Sequence, residues 1–126
     1  MIWLTIDIVS AIHEESLSAH GGASGIRDEG LLASVITRAR MHHTYANPEP
    51  DVWELAAVLC EGIVKNHPFI DGNKRTGIVA AATFLAINGH VLKIDEAQGV
   101  LMVRGLADSS VEIAEFKEWL RRINAL

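Results

Sequence analysis

The sequence predicts an all-α protein, a compact single-domain bundle of about six helices over residues 1–126. Apolar residues recur with the period of an amphipathic helix along most of the chain. Capping residues and glycines divide this pattern into segments of ordinary helix length. Apolar residues make up 49% of the 126 positions, which is enough for one hydrophobic core.

Capping signals bound the first two helices. A first helix is expected over residues 5–19, ending at the glycine pair 21–22. Its buried face is expected to carry Ile8, Ile12 and Leu17. Asp28 is the expected N-cap of a second helix. The apolar stripe of that helix is Leu31, Leu32, Val35 and Ile36.

The next two helices are the most apolar. The third is expected over residues 51–66 and is apolar on most sides. The fourth, over residues 73–88, contains the run AAATFLA and ends at Gly89. Because small side chains let helix axes approach closely, this fourth helix is predicted to be the central one.

The last third of the chain predicts a short extended piece and two further helices. HVLKI, residues 90–94, alternates too briefly to establish a sheet. Asp95 with Gln98, and Ser109 with Glu112, have the spacing of capping boxes. The final helix is expected to bury Ile113, Phe116, Leu120 and Ile123, with Trp119 beside them.

Charge, apolar patterning and cysteine content argue against several classes of function and location. The formal net charge is −5, from eleven Lys and Arg against sixteen Asp and Glu, so the chain is not expected to bind DNA. The sequence has no run of about eighteen apolar residues, so a membrane span is not expected. The N-terminus lacks the pattern of a signal peptide. A single cysteine, Cys60, allows no internal disulfide and favours a reducing cytoplasmic location.

The stretch HPFIDGNKRTG, from His67 to Gly77, carries the chemistry. Gly72 permits a tight turn, after which the first N–H groups of the fourth helix lack helical partners. Lys74 and Arg75 add full positive charges to that positive end of the helix dipole. This pattern predicts an anion site for a phosphate compound, with a nucleotide favoured.

Two side chains in the stretch suit phosphoryl or nucleotidyl transfer. Pro68 disfavours helical geometry at the residue before it, so His67 is expected at a helix end facing the loop. An imidazole there can take a proton from an attacking hydroxyl. Asp71 could hold Mg²⁺, which takes one or two carboxylates together with substrate phosphates.

Each residue also has an ordinary structural interpretation. Asp71 and Asn73 are common N-cap residues, and cations in a first helical turn often lie in solvent. Phe69 is interpreted as a plug that anchors the loop in the core. Two cations at a helix N-terminus oppose the dipole by about 0.3–1 kcal/mol each, and this charge placement favours an anion site.

The motif resembles the signature of the Fic/Doc family, His-x-Phe-x-(Asp/Glu)-Gly-Asn-(Gly/Lys)-Arg. The segments GGASGIRDEGLL and FLAINGH also resemble the Doc, or death-on-curing, branch. The resemblance implies the helical Fic fold, with His67 as general base and Asp71 as the Mg²⁺ ligand on ATP. It implies that Gly72 and Asn73 form the anion nest, that Arg75 contacts phosphate, and that Phe69 is structural.

Two positions bear on which group of ATP is transferred to the target protein. AMP-transferring members usually carry Gly where this chain has Lys74, and a second Arg where it has Ile78. The resemblance to the Doc branch therefore implies a toxin that transfers the γ-phosphate of ATP to a Ser or Thr of a target protein. A translation elongation factor is the favoured target, and a separate antitoxin segment the expected restraint. Protein AMPylation is the alternative.

Two other classes of function remain open from the sequence. A metal-dependent hydrolase would use His67, Asp71 and the pair His42-His43 as ligands. A non-catalytic module would use the same loop only to hold a nucleotide or a partner's carboxylate.

Overall fold

The computed structural model describes residues 1–125 and consists of six α-helices. They are α1 (Ile6–His20), α2 (Glu29–Tyr45), α3 (Val52–Asn66), α4 (Asn73–Ile87), α5 (Glu96–Asp108) and α6 (Ile113–Arg122). Within the described residues there is no strand, only isolated bridges between Ile26 and Phe69 and between Leu92 and Asn124. The predicted all-α class is confirmed.

Aspartate caps fix three of the helix starts. Asp28 accepts a hydrogen bond from the N–H of Leu31, and Asp51 accepts one from the N–H of Glu54. Asp95 caps α5 in the same way. Each side chain satisfies a donor that has no helical partner, so the predicted starts of these helices are confirmed.

The central helix is α3, and the prediction that α4 is central was wrong. Helix α3 packs against α2, α4, α5 and α6, whereas α4 packs against α1, α3 and α5. The physical reason is that α3 is apolar and buried on most sides, while α4 leaves Val79 and Ile87 on the surface. The small residues of α4 instead allow close approach to α3: a Cβ at Gly77 would lie 2.7 Å from Cγ1 of Val64.

The buried face of α1 also differs from the prediction. Ile8 is 40% exposed, whereas Val9 and His13 are each 1% exposed and face the core. Ile12 and Leu17 are half-buried at the edges of this face. The apolar residues of α1 extend around much of the helix, so their spacing alone does not determine which face packs on the neighbouring helices.

The predicted capping box at Ser109 was wrong. Ser109 is the left-handed C-cap of α5, with φ 67°, and Glu112 precedes α6 without a side-chain capping bond. Helix α6 buries Phe116, Trp119 and Leu120. Ile113 and Ile123 are only partly buried.

Residues 90–94 run beside the C-terminal end of the described chain. Lys93 N–H donates to Ile123 O at 2.8 Å, and Ala125 N–H donates to Val91 O at 2.7 Å. The predicted extended piece therefore pairs locally with residues after α6 and forms no sheet in residues 1–125. Among the same residues, no helix is both long and apolar enough to cross a membrane.

Candidate functional site

The loop between α3 and α4, residues 67–72, opens with an exposed histidine. His67 is the C-cap of α3 in left-handed geometry, φ 52° and ψ 58°, and its N–H donates to Ile63 O. Its imidazole forms no hydrogen bond or ion pair with any described residue. The ring is therefore free to meet a ligand or a protein hydroxyl.

Arg27, in the loop between α1 and α2 (residues 21–28), holds the end of α3. Its Nε donates to His67 O at 2.6 Å, and its Nη2 donates to Asn66 O at 2.7 Å. Its own N–H donates to Pro68 O at 2.7 Å. A guanidinium on these carbonyls offsets the negative end of the α3 dipole and fixes the backbone from which the imidazole projects.

Asn73 and Phe69 anchor the middle of the 67–72 loop from inside. Oδ1 of Asn73 accepts from Phe69 N–H at 3.1 Å, and its Nδ2 donates to Phe69 O at 3.0 Å. Phe69 is 1% exposed and stacks on His13, with ring centroids 3.9 Å apart and planes at 9°. The Asn73 side chain is thus used by the loop, which leaves its backbone N–H for an anion.

Asp71 is exposed but firmly oriented. Its Oδ1 accepts from Gly72 N–H at 2.8 Å, and its Oδ2 accepts from Ala23 N–H at 3.2 Å. Its main-chain oxygen accepts from Nε2 of His13 at 2.8 Å. A Cβ at Gly22 would lie 3.0 Å from Oδ2, so the glycine lets the 21–28 loop approach the carboxylate.

The start of α4 combines unpaired donors with unpaired cations. Gly72 is the N-cap in left-handed geometry, φ 75°, and no side chain caps this helix. Lys74 and Arg75 are exposed, and neither forms an ion pair with any residue from 1 to 125. The helix start thus keeps its positive potential, which suits an anion held against the backbone N–H groups.

The structure does not bring the adjacent histidines to this loop. His42 pairs with Glu54, and His43 pairs with Glu49. Glu54 and His67 are thirteen positions apart on α3, about 20 Å at 1.5 Å per residue. Within the described residues, no group of three or more His, Cys, Asp or Glu side chains could hold a metal, so the hydrolase ligand set is not assembled.

A cavity of about 730 Å³ lies elsewhere, between α2, α3 and α6. Its lining includes Glu54, Tyr45 and Ile113, and it contains no residue of the 67–72 loop. The hydrogen bond from His42 is the main cause that lowers the pKa of Glu54; Lys117 adds to it and burial opposes it. This pairing links α2, α3 and α6. The candidate residues from the sequence lie on the open 67–72 loop instead.

Cys60 is not placed for nucleophilic chemistry. The thiol is fully buried in α3, and burial raises its pKa. The fraction present as thiolate at neutral pH is therefore negligible.

The sequence itself does not reveal the contacts that His13 and Arg27 make with the 67–72 loop and the end of α3. Both make contacts to residues at least 40 positions away along the chain, which spacing cannot reveal. A signal for His13 was present: it lies one helical turn after Val9 on what proves to be the buried face of α1.

A small all-α protein with an exposed imidazole, a carboxylate and an uncapped, basic helix start in one loop has the parts of a phosphate-handling protein. A family model described as Fic/DOC family matches residues 3–85, which include the whole of this loop. The chain belongs to the Fic/DOC family.

Two curated relatives are similar to this chain. One, named Toxin Doc, from Mycolicibacterium smegmatis, is 42% identical over 77 residues, covering 61% of this chain and 59% of the relative. Another, named Protein kinase doc, from Escherichia phage P1, is 29% identical over 113 residues, covering 90% of this chain and 88% of the relative. The first match thus spans less than two thirds of that relative's length.

Proposed function

We propose that this protein is the toxin of a toxin–antitoxin pair and transfers the γ-phosphate of ATP to a Ser or Thr hydroxyl of a target protein. A translation elongation factor is the proposed target class, with growth arrest as the outcome. The observation that carries the proposal is the 67–72 loop, which presents His67 and Asp71 beside the uncapped, basic start of α4. The names of the two relatives, a toxin and a protein kinase, support the same activity.

His67 is the proposed general base. The target hydroxyl oxygen attacks the γ-phosphorus, its proton passes to the imidazole, and the bond to the bridging oxygen breaks to release ADP. The free imidazole at the end of α3 supports this role because no described residue occupies its nitrogens.

Asp71 is the proposed Mg²⁺ ligand. Each of its oxygens accepts one backbone N–H, and a carboxylate has about four acceptor sites, so the carboxylate can still coordinate a cation. Mg²⁺ commonly takes one or two carboxylates and fills its remaining positions with waters and phosphates, which fits a single acidic residue. When bound, the metal would neutralise charge on the phosphate oxygens.

The start of α4 is the proposed phosphate site. The N–H groups after Gly72, including that of Asn73, would donate to phosphate oxygens. Lys74 and Arg75 would add charge, and Arg75 can bind two oxygens at once through its guanidinium. Phe69 supports the loop from the core and is assigned no contact with the nucleotide.

AMP transfer from ATP is the alternative reaction. The observation that favours γ-transfer is Ile78, which is partly buried against the core. The helix therefore offers no second cation at that position to hold a triphosphate as in the AMP-transferring members. A non-catalytic nucleotide- or partner-binding module is the remaining alternative, because the same loop could bind without turnover.

Incubation of the purified protein with Mg²⁺, cell lysate and ATP labelled at either the α or the γ phosphate tests the proposal. We expect γ label alone on a target protein, with its loss in His67→Ala and a strong reduction in Asp71→Ala. His20→Ala is the matched control, since His20 is an exposed histidine at the end of α1. Transfer of α label would establish AMPylation, and ATP binding without transfer of either label would favour the binding module.

The proposed partners follow from the toxin assignment. Restraint would come from an antitoxin with a short flexible segment that folds onto this protein, and the site of action would be the cytoplasm. The net charge of −5 argues against DNA binding by this chain. Growth arrest that co-expression of the neighbouring gene product left unrelieved would contradict the antitoxin proposal.

A further inference from the structure

We propose that His13 is a positioning residue that fixes Asp71 and the start of α4 for binding of Mg²⁺ and nucleotide. This inference rests on the proposed function, since it concerns the same loop. His13 lies on α1, 58 positions before Asp71, and is 1% exposed. It is thus a buried polar side chain whose hydrogen-bonding nitrogen meets the candidate site from inside the fold.

His13 makes two contacts of different physical kinds. Its ring stacks on Phe69 at 3.9 Å, which is apolar packing. Its Nε2 lies 2.8 Å from the main-chain oxygen of Asp71. A carbonyl oxygen can only accept, so the proton of the imidazole must lie on Nε2. The two contacts can therefore be removed separately by mutation.

The hydrogen bond controls one peptide plane that serves both halves of the site. The Asp71 oxygen and the Gly72 N–H belong to the same planar peptide unit. His13 holds the oxygen, and on the opposite side the N–H donates to Oδ1 of Asp71 at 2.8 Å. Rotation of this plane would therefore move the carboxylate and the N-cap of α4 together.

Without His13, few other contacts would resist that rotation. Oδ2 of Asp71 accepts one further hydrogen bond, from Ala23 N–H at 3.2 Å, and Ala23 lies in a glycine-rich loop. Gly72 has no Cβ to limit its backbone, and it already adopts a positive φ. Among the described contacts, the imidazole is the only side-chain donor to the backbone of the 71–72 peptide.

Two substitutions separate positioning from packing. His13→Gln keeps an N–H donor, because the amide nitrogen of Gln is as many bonds from Cα as Nε2 of His. His13→Phe keeps a ring on Phe69 and removes the donor. The test is to measure, for each variant, the Kd for ATP with Mg²⁺ by calorimetry and the Tm.

The two readouts should rank the variants in opposite order. His13→Phe should weaken binding of ATP with Mg²⁺ by about 10-fold or more, the usual effect of losing a partner that orients a metal ligand, and should keep most of the Tm. His13→Gln should bind within a few-fold of the wild type but melt lower. Parallel losses of affinity and Tm in both variants, or an unchanged Kd in His13→Phe, would overturn the inference.

Failure of the proposed function can be distinguished from failure of this inference about His13. A wild type that binds ATP with Mg²⁺ but transfers no label would contradict the proposed transferase and leave the binding comparison intact, whereas absence of any binding would overturn both. Should His13→Phe not fold, the wild type decides: long-range ¹H–¹⁵N NMR must show the proton of His13 on Nε2. A proton found only on Nδ1 would overturn the inference.

Discussion

At the scale of single residues, the candidate site combines charged or basic side chains that have no partner in the described part of the chain with neighbouring side chains that are hydrogen-bonded to the backbone. The imidazole of His67 and the cations at Lys74 and Arg75 have no partners among the described residues. Arg27 and Asn73, by contrast, use their donors on the backbone around them. The free groups can therefore meet a ligand without first breaking contacts, which limits the cost of reorganisation on binding.

We expect Lys74, a residue of the candidate site, to reduce the stability of the protein. It lies in the first turn of α4, where a positive charge opposes the dipole. In buffer without polyvalent anions, Lys74→Ala should therefore stabilise the fold by about 0.3–1 kcal/mol. Millimolar phosphate should remove that difference, because a bound anion relieves the repulsion in the wild type. Urea unfolding in both buffers measures the two free energies.

Arg104→Ala is the matched control for Lys74→Ala. Arg104 is an exposed cation within α5, and it has no ion pair in residues 1–125. Lys and Arg have similar helix propensities, so the control isolates the effect of position along the helix. Destabilisation by Lys74→Ala in the anion-free buffer would contradict the prediction, since it would mean that Lys74 has a stabilising partner.

At the scale of helices, the close contact between α3 and α4 sets the distance across the site. A Cβ at Gly77 would lie 2.7 Å from Cγ1 of Val64 and 3.3 Å from the main-chain oxygen of Cys60. Gly77→Ala gains about 1 kcal/mol of helix propensity, but the clash with a stiff, buried neighbour outweighs it. We expect a net loss of about 1–2 kcal/mol in the free energy of unfolding, measured in urea.

A double-mutant cycle with Val64→Ala tests the cause of that loss. Removing the γ-methyl groups of Val64 leaves room for the new Cβ, so Gly77→Ala should cost less in the Val64→Ala background than in the wild type. Equal costs in the two backgrounds would show that the clash with Val64 is not responsible. In that case the contacts with the main-chain oxygen and the thiol of Cys60 would be the remaining explanation.

The helices differ in how far the sequence determines them. Starts at Asp28, Asp51 and Asp95 were predictable because an N-cap bond joins residues three apart, a local interaction. The buried face of α1 and the central place of α3 were not, because they depend on which helices meet. Ser109 has the residue type of an N-cap but adopts left-handed geometry at the end of α5.

In the candidate site, too, some residues can be proposed from the sequence and others cannot. Its candidate groups, from His67 to Arg75, occur in one continuous stretch, so the sequence alone is enough to propose them. Its supporting contacts come from α1 and from the 21–28 loop, and they join residues 39 to 58 positions apart. Such contacts depend on the tertiary fold, and a single sequence gives no measure of them.

At the scale of the whole molecule, the core is continuous through α3, and Cys60 reports on it. The thiol is 0% exposed and lies at the contact between α3 and α4, 3.3 Å from where a Cβ of Gly77 would stand. Local fraying of the loops should not expose it, because residues of α3 on both sides are buried as well. Exposure of Cys60 should therefore require global unfolding.

Thiol labelling should then follow the global free energy of unfolding. We expect Cys60 in the native protein to react with a thiol reagent many orders of magnitude more slowly than a free cysteine, both because it is inaccessible and because burial raises its pKa. When refolding is faster than labelling, the opening free energy from labelling rates should equal that from urea unfolding. A labelling value well below the urea value would show that α3 and α4 separate in a partial opening. The 67–72 loop that joins them, and with it the candidate site, would then be mobile in the otherwise folded protein.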